Sequence, residues 1–80
     1  MPEEDMQEVL DYITLRVKEE RKKRRVSQLK LALILGHNST SYVARIELRK
    51  KGNNYNLTHL YAIAKEFGME MGDFLPKIQK

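Results

Sequence analysis

Hydrophobic residues recur along the chain at helical spacing, beginning with one long stripe near its start. Between residues 6 and 17 the apolar positions are three or four apart, which places them on one face of an α-helix. The members of this stripe are Met6, Val9, Leu10, Ile13 and Val17. Pro2 and the acids at positions 3–5 suit a helix start, because proline tolerates the first turn and acids favour its positive end. The pattern predicts a first helix over about residues 3–24.

Two shorter helical patterns follow, each opened by a serine and separated by a glycine. Ser27 can accept a hydrogen bond from an unpaired N–H of a helix over about 28–35, and Ser39 can do so for a helix over about 40–50. Gly36 suits the left-handed position that ends a helix. Two short helices joined by a tight turn are the skeleton of a helix-turn-helix. The inward residues expected in this pair are Leu31, Ala32, Leu35, Val43 and Ile46.

The last third of the chain predicts two further helices. Asn56 can cap a fourth helix over 57–67, which Gly68 ends, and a short fifth helix over about 70–75 stops before Pro76. Their expected inward residues are Leu57, Leu60, Ile63, Ala64, Phe67, Met71, Phe74 and Leu75. The sequence therefore predicts an all-α, compact five-helix bundle.

Length and composition limit the protein classes further. Eighty residues without an internal repeat or linker suit a single domain over 1–80, with its core over about 6–75. The absence of cysteine excludes a disulfide framework and a thiolate zinc site. No apolar run approaches the roughly 20 residues needed to cross a bilayer, and the acidic start is unlike a signal peptide. We expect a cytoplasmic protein with no membrane partner.

Charge is distributed unevenly around the paired helices. The net charge is +4, but residues 16–30 hold eight bases against two acids, and residues 45–51 hold four bases against one. Acids instead dominate residues 1–15. A solvated basic surface is common in small domains, whereas concentration of bases beside a helix pair favours a polyanionic partner such as nucleic acid.

Several short motifs stand in a fixed order along the chain. They are Ser27-Gln28-x-x-Leu31-Ala32, then Gly36, then Ser39-x-x-x-Val43-Ala44-x-x-Glu47, then Leu60-x-x-Ile63-Ala64-x-x-Phe67-Gly68-Met69, and finally Asp73-Phe74-Leu75. Together they resemble the Cro and phage-repressor (Xre-like) helix-turn-helix family over about residues 17–75. The chain departs from the family in two places. His37 and Asn38 stand in the turn where one residue is usual, and the segment 48–52 replaces the usual Arg-Gly or Asn-Gly after Glu47.

The resemblance implies a lambda-repressor-like DNA-binding domain that regulates transcription, commonly as a repressor and as a homodimer on an inverted-repeat operator. In such a domain helix three enters the major groove of double-stranded DNA. By position, Thr40, Ser41 and Arg45 would contact bases, while Gln28, Lys50, Lys51 and Asn53 would contact phosphates. The DNA-binding residues expected in all are Gln28, Ser39, Thr40, Ser41, Tyr42, Arg45, Arg49, Lys50, Lys51 and Asn53.

The roles of some of these residues stay open from the sequence. Tyr42 could pack at the edge of the core or bind a phosphate, and Gln28 could bind a phosphate or be an exposed residue without a role. Arg24 and Arg25 could reach phosphates or be solvated. Met69, Met71 and Phe74 could belong to the core or to a dimer interface.

Other classes of function are weaker. The two histidines, His37 and His59, lie on separate elements, and no nucleophile motif or phosphate loop is present, so we expect no enzyme activity, no metal site and no cofactor. An antitoxin or other protein-interaction module, binding a toxin or another protein partner, is the main alternative. RNA binding is less favoured, because no aromatic pair offers a stacking platform.

Overall fold

Four α-helices and one 3₁₀ helix make up the part of the chain that the computed structural model describes, residues 3–50 and 52–77, which contains no strand. The helices are α1 (Glu3–Lys23), α2 (Gln28–Ile34), α3 (Thr40–Glu47) and α4 (Leu57–Phe67), and the 3₁₀ helix spans Met71–Phe74. The all-helical fold is confirmed. The predicted fifth helix is a single 3₁₀ turn, and α3 is three residues shorter than predicted.

The predicted N-terminal caps are confirmed. The Ser27 hydroxyl accepts a hydrogen bond from the Lys30 N–H at 3.0 Å, and the Ser39 hydroxyl accepts one from the Ser41 N–H at 3.2 Å. The Asn56 side chain accepts from the His59 N–H at 2.8 Å. Each cap satisfies an amide that has no partner within its own helix, and so fixes where the helix begins.

The C-terminal ends of α1, α2 and α3 share one geometry. Each is followed by a residue with positive φ: Arg25 at 57°, Gly36 at 85° and Arg49 at 58°. Around each of them two backbone hydrogen bonds close the last turn, as in a Schellman motif. Glycine adopts this conformation without strain, whereas an arginine costs roughly 1–2 kcal/mol. The prediction that α3 continues to about residue 50 was wrong because Arg49 turns the backbone at this point.

The core lies between α2, α3 and α4, with α1 and the 3₁₀ helix completing it. Helices α2 and α3 share the most extensive contact, and Phe74 of the 3₁₀ helix is fully buried against this core. The buried apolar residues are Ile13, Val17, Leu31, Ala32, Val43, Ile46, Tyr55, Leu60, Ile63, Ala64 and Phe74. Tyr55 lies in the connection between α3 and α4, and its burial was not predicted.

Some expected core positions are exposed instead. Leu57 is 70% exposed, because it is the first residue of α4 and precedes by one turn its first buried residue, Leu60. Met6 is also exposed and lies near the start of α1, before Val9, the first described residue of that helix that is not exposed. Leu75 lies after the 3₁₀ helix and is exposed, and Leu35 is only partly buried.

A buried polar network connects α1, α2 and α3. Arg21 of α1 forms a bidentate ion pair with Glu47 of α3, with Nε to Oε2 at 2.8 Å and Nη2 to Oε1 at 3.0 Å. The Gln28 amide of α2 donates to the same carboxylate at 2.9 Å, and Arg21 also donates to the Val26 carbonyl at 2.8 Å. The two charged side chains are 10% and 5% exposed. The network therefore ties three helices together out of contact with water.

A second group of charges joins α1 to α4. Arg24 pairs with Glu20, lies over the ring of Phe67 at 4.8 Å from its centroid, and donates to the Phe67 carbonyl. The Arg24 guanidinium, helped by Arg16, holds the pKa of Glu20 below its usual value.

Among the described residues, no helix is long and apolar enough to cross a membrane.

Replacing Glu47 with alanine is expected to lower the free energy of unfolding by about 3–5 kcal/mol, because Arg21 is left as a buried charge without its partner. Glu66→Ala is the matched control, since Glu66 is exposed and forms no ion pair with the described residues. Urea unfolding followed by circular dichroism measures both. Equal midpoints for the two variants would contradict a structural role for the pair.

Candidate nucleic-acid interface

The outer side of α3 presents polar groups to solvent. Ser39, Thr40, Ser41 and Arg45 are exposed, while Val43 and Ile46 on the opposite side, with nearly no exposed surface, are in the core. Ser41 and Arg45 are four residues apart, so they lie on the same face one turn apart. Arg45 makes no hydrogen bond or ion pair with the described residues. Its five N–H donors are therefore available to a ligand.

The serines at the start of α3 also serve the helix itself. Ser39 caps the helix, and its hydroxyl lies 2.7 Å from that of Ser41. Thr40 between them is exposed and is not tied to another side chain among the described residues. Of the three hydroxyls, Ser39 is thus placed as the cap, and Thr40 and Ser41 face outward on the first turn.

Exposed cations surround the α2–α3 pair. Lys22 and Lys23 are the last two residues of α1, Arg25 follows that helix, Lys30 lies on α2, and Lys50 follows α3. None of these five side chains forms an ion pair with the described residues. Lys51, a further candidate from the sequence, lies outside the described residues. These charges are free to attract a polyanion.

Gln28 is placed differently from an exposed helix residue. Its side chain is half-buried, and its amide donates to Glu47 rather than pointing freely into solvent. Gln28 therefore helps to hold α3 against α2. Only its second N–H and its carbonyl oxygen are left for a ligand such as a phosphate.

Arg49 is engaged within the chain. Its guanidinium contacts Asp11 at 2.7 Å, the Thr14 hydroxyl at 3.0 Å and the Asn54 side-chain oxygen at 3.0 Å. The bond from Arg49 keeps the pKa of Asp11 below its usual value. Arg49 also donates to the Asn53 carbonyl, so Asn53 belongs to the same folded segment. The structure thus places Arg49 and Asn53 in the connection between α3 and α4.

Tyr42 belongs to a cluster of rings behind the start of α3. Its ring stacks on His37 with centroids 3.7 Å apart and planes 12° from parallel. Its hydroxyl lies 3.2 Å from Nε2 of His59 on α4. Tyr55 packs edge-on against His59, with centroids 6.1 Å apart. Tyr42 therefore joins the turn before α3 to α4, which is closer to the core-edge alternative than to an outward phosphate contact.

His59 has a structural role that the sequence analysis did not predict. The ring Nδ1 of His59 accepts a hydrogen bond from the backbone N–H of Asn56 at 3.1 Å, while the backbone N–H of His59 donates to the Asn56 side chain. This reciprocal arrangement is a capping box with histidine in the position usually held by glutamate or glutamine. The Asn56-x-x-His59 spacing was the signal that could have indicated it.

Among the neighbouring arginines, Arg24 is bound to Glu20 and Phe67, whereas Arg25 is exposed. In the described part of the chain, no three histidine, aspartate or glutamate side chains gather as a metal ion would require.

Comparison of the chain with protein-family models, with curated proteins and with solved structures gave no match. The geometry of this surface is therefore the basis on which a function is proposed.

Arg49→Ala is expected to lower the free energy of unfolding, because it removes the bonds to Asp11, Thr14 and Asn54 and leaves a Cβ at positive φ. Arg49→Gly also removes these bonds but relieves the backbone, so it should be more stable than the alanine variant by about 1 kcal/mol. Arg45→Ala, on the exposed face, is the control and should unfold like the parent. Urea titration compares them, and an alanine variant as stable as the parent would contradict this role for Arg49.

Acidification is expected to destabilise the parent more than His59→Gln. Burial, and to a smaller extent His37, keeps the pKa of His59 below its ordinary 6.5. Below about pH 6.5 the unfolded chain therefore binds more protons than the folded one, and stability rises with pH. The contribution is complete above that pH and is lost as pH falls through the lower folded-state pKa. Glutamine can keep the capping bond without titrating. Urea unfolding at several pH values measures the two free energies of unfolding. An equal loss on acidification in both proteins would contradict this role of His59.

Proposed function

We propose that the protein binds double-stranded DNA in a sequence-specific manner and regulates transcription, acting as a repressor. The observation that carries this proposal is the division of α3 into two sides. Its inner side is fixed by the core and by Glu47, while its outer side presents Thr40, Ser41 and the uncommitted guanidinium of Arg45. A rigid helix with free donors on an exposed face suits the major groove of B-DNA.

In this proposal α2, the turn and α3 form a helix-turn-helix, with α3 as the recognition helix. Arg45 would donate two hydrogen bonds to guanine O6 and N7, which discriminate between bases by about 1–3 kcal/mol. Thr40 and Ser41 would contact neighbouring base edges, and the methyl group of threonine could meet a thymine methyl. The helix start itself is exposed, so the side chains of its first turn can approach the groove.

The free cations would bind phosphates on both sides of the recognition helix. Lys50 follows α3, and Lys30 and Arg25 belong to α2 and to the turn before it. Such contacts position a protein on the duplex without reading its sequence. Gln28, Tyr42, Arg49 and Asn53 would act mainly by holding α3 and its flanking segments in place, which changes the roles that the family resemblance implied for them.

Sequence-specific binding by a domain of this size favours a symmetric pair of sites. We therefore extend the proposal to a homodimer on an inverted repeat, with half-sites about one helical turn apart. The resemblance to the Xre-like family supports this arrangement. The enzyme class remains disfavoured, since the charged groups on this surface are cations without an adjacent nucleophile or base.

An antitoxin or other protein-interaction role is the second candidate. It is favoured by an exposed apolar side of α4, where Leu57 and Tyr61 are 70% and 58% exposed and lie one turn apart. Met69 and Met71, which are partly buried, line a surface pocket together with Tyr61. Adaptable methionines beside an exposed aromatic ring suit a protein interface.

Selection of bound sites from a random duplex library tests the proposal. Enrichment of an inverted repeat is the expected result, and it would establish specificity and dimeric binding together. No enrichment, together with co-purification of a protein partner, would overturn DNA regulation in favour of the interaction role.

Arg45→Ala is expected to weaken binding to the selected site much more than binding to random duplex, because it removes a base contact. Lys50→Ala should weaken both alike and reduce the salt dependence by about 0.9 in the log–log slope. Lys65→Ala, a lysine on α4, is the matched charge control and should change neither. Fluorescence anisotropy over a range of salt concentrations measures all three. Equal losses on both duplexes for Arg45→Ala would contradict base reading.

A further inference from the structure

Three rings from three elements meet behind the first turn of α3. His37 lies in the turn before α3, Tyr42 in its first turn and His59 in the first turn of α4. His37 stacks on Tyr42, and the Tyr42 hydroxyl meets Nε2 of His59 at 3.2 Å. Within residues 3–50 and 52–77, the contacts of His59 toward α3 and the turn before it are made with Tyr42 and His37. This is the placement of a residue that positions the helix without touching its ligand.

The hydrogen bonds fix the protonation state of His59. A backbone amide can only donate, so Nδ1 of His59 accepts from the Asn56 N–H and carries no proton. In the neutral ring the proton is then on Nε2, which donates to the Tyr42 hydroxyl. A second proton would have to go to Nδ1, where it would face the N–H of Asn56. Two N–H donors would then face each other, and the ring could not keep its contacts with both Asn56 and Tyr42.

We propose that His59 is a positioning residue for the recognition helix, and that its protonation loosens the first turn of α3 and weakens sequence-specific DNA binding. This inference depends on the proposed DNA-binding function. When the ring leaves its place, Tyr42 loses its hydrogen-bond partner, and the His37–Tyr42 stack loses its support from α4. Thr40 and Ser41, which lie between His37 and Tyr42 in the chain, then lose their fixed orientation toward the groove.

The groups that face His59 do not favour its charged form. They are His37 from the turn, Tyr42 from α3 and Tyr55 from the segment before α4. No carboxylate among the described residues forms a hydrogen bond or an ion pair with His59. Burial and His37 both lower the pKa of His59, which agrees with a site built for the neutral ring.

The direction of this effect distinguishes it from general electrostatics. Added positive charge strengthens the attraction of a protein to the phosphate backbone, whatever the DNA sequence. Protonation of His59 would instead weaken binding to the cognate site relative to random duplex. The ratio of the two affinities therefore separates loss of positioning from gain of charge.

The structural part of the test needs no DNA. In an NMR titration of the full chain, the amide signals of residues 40–43 are expected to shift with the same midpoint as the His59 ring. In His59→Gln these shifts should disappear, while any shifts that follow the His37 ring should stay. If the amide signals of α3 do not shift as His59 is protonated, the inference is overturned, whether or not the protein binds DNA.

The functional part uses the site obtained by selection and a random duplex of equal length. Acidification is expected to lower the affinity ratio of the parent, by about tenfold if the His59 pKa differs by one unit between free and bound protein. His59→Gln should show a ratio that does not depend on pH. Tyr42→Phe, which keeps the ring stack but loses the hydroxyl, should show a smaller change than the parent.

The outcomes keep the two proposals apart. Absence of specific binding at every pH would contradict the proposed function, and the NMR titration would still decide whether His59 positions α3. Specific binding with a constant affinity ratio in the parent would contradict the inference alone. A ratio that falls equally in the parent and in His59→Gln would assign the pH effect to another group and would also contradict it.

Discussion

The buried ion pair between Arg21 and Glu47 is the interaction on which the arrangement of the helices depends. Removing two charges from water is costly, and their attraction compensates only when the geometry is good and the remaining polar atoms are satisfied. Here the pair is bidentate, Gln28 supplies a further donor, and the Val26 carbonyl accepts from Arg21. Because these contacts come from α1, α2 and α3, they define one orientation of α3, which generic apolar packing alone would not specify.

This network also changes how the basic character of the chain is understood. Within the run of bases at positions 16–30, Arg16, Arg21 and Arg24 all have carboxylate partners, and beyond it Arg49 is bound to Asp11. Among the residues that the structure describes, the exposed bases without a hydrogen-bond or ion-pair partner are mostly lysines, with Arg25 and Arg45 as the exceptions. Arginine suits buried and bidentate contacts, because its planar fork matches a carboxylate. The surface available to a polyanion is thus smaller than the charge count suggests. Arg45 differs from most of the arginines because its guanidinium is exposed and has no partner among the described residues.

The helix starts, the extent of α4 and most of the core could be predicted, because caps and apolar periodicity are local signals. The end of α3 could not. Nothing in Leu48-Arg49-Lys50 breaks a helix, and the left-handed turn at Arg49 is held by Asp11 and Thr14, which are 38 and 35 positions away. The same limit applies to the candidate site. The exposure of Thr40, Ser41 and Arg45 follows from the periodicity, whereas the inward roles of Gln28, Tyr42 and Arg49 depend on partners from other helices.

The two-residue turn before α3 now has a physical explanation. Its first residue, His37, stacks on Tyr42, so the additional length is anchored rather than loose. Helix α3 is therefore held at both ends by different chemistry. At its C-terminal end Glu47 is bound by the Arg21 guanidinium in a bidentate ion pair. Behind its first turn, Tyr42 depends on the neutral imidazole of His59, whose pKa is kept below its ordinary value by burial and by His37. Under the proposed function, acid would act through His59 on the first turn of α3, so that the base-facing residues of this turn would lose their orientation.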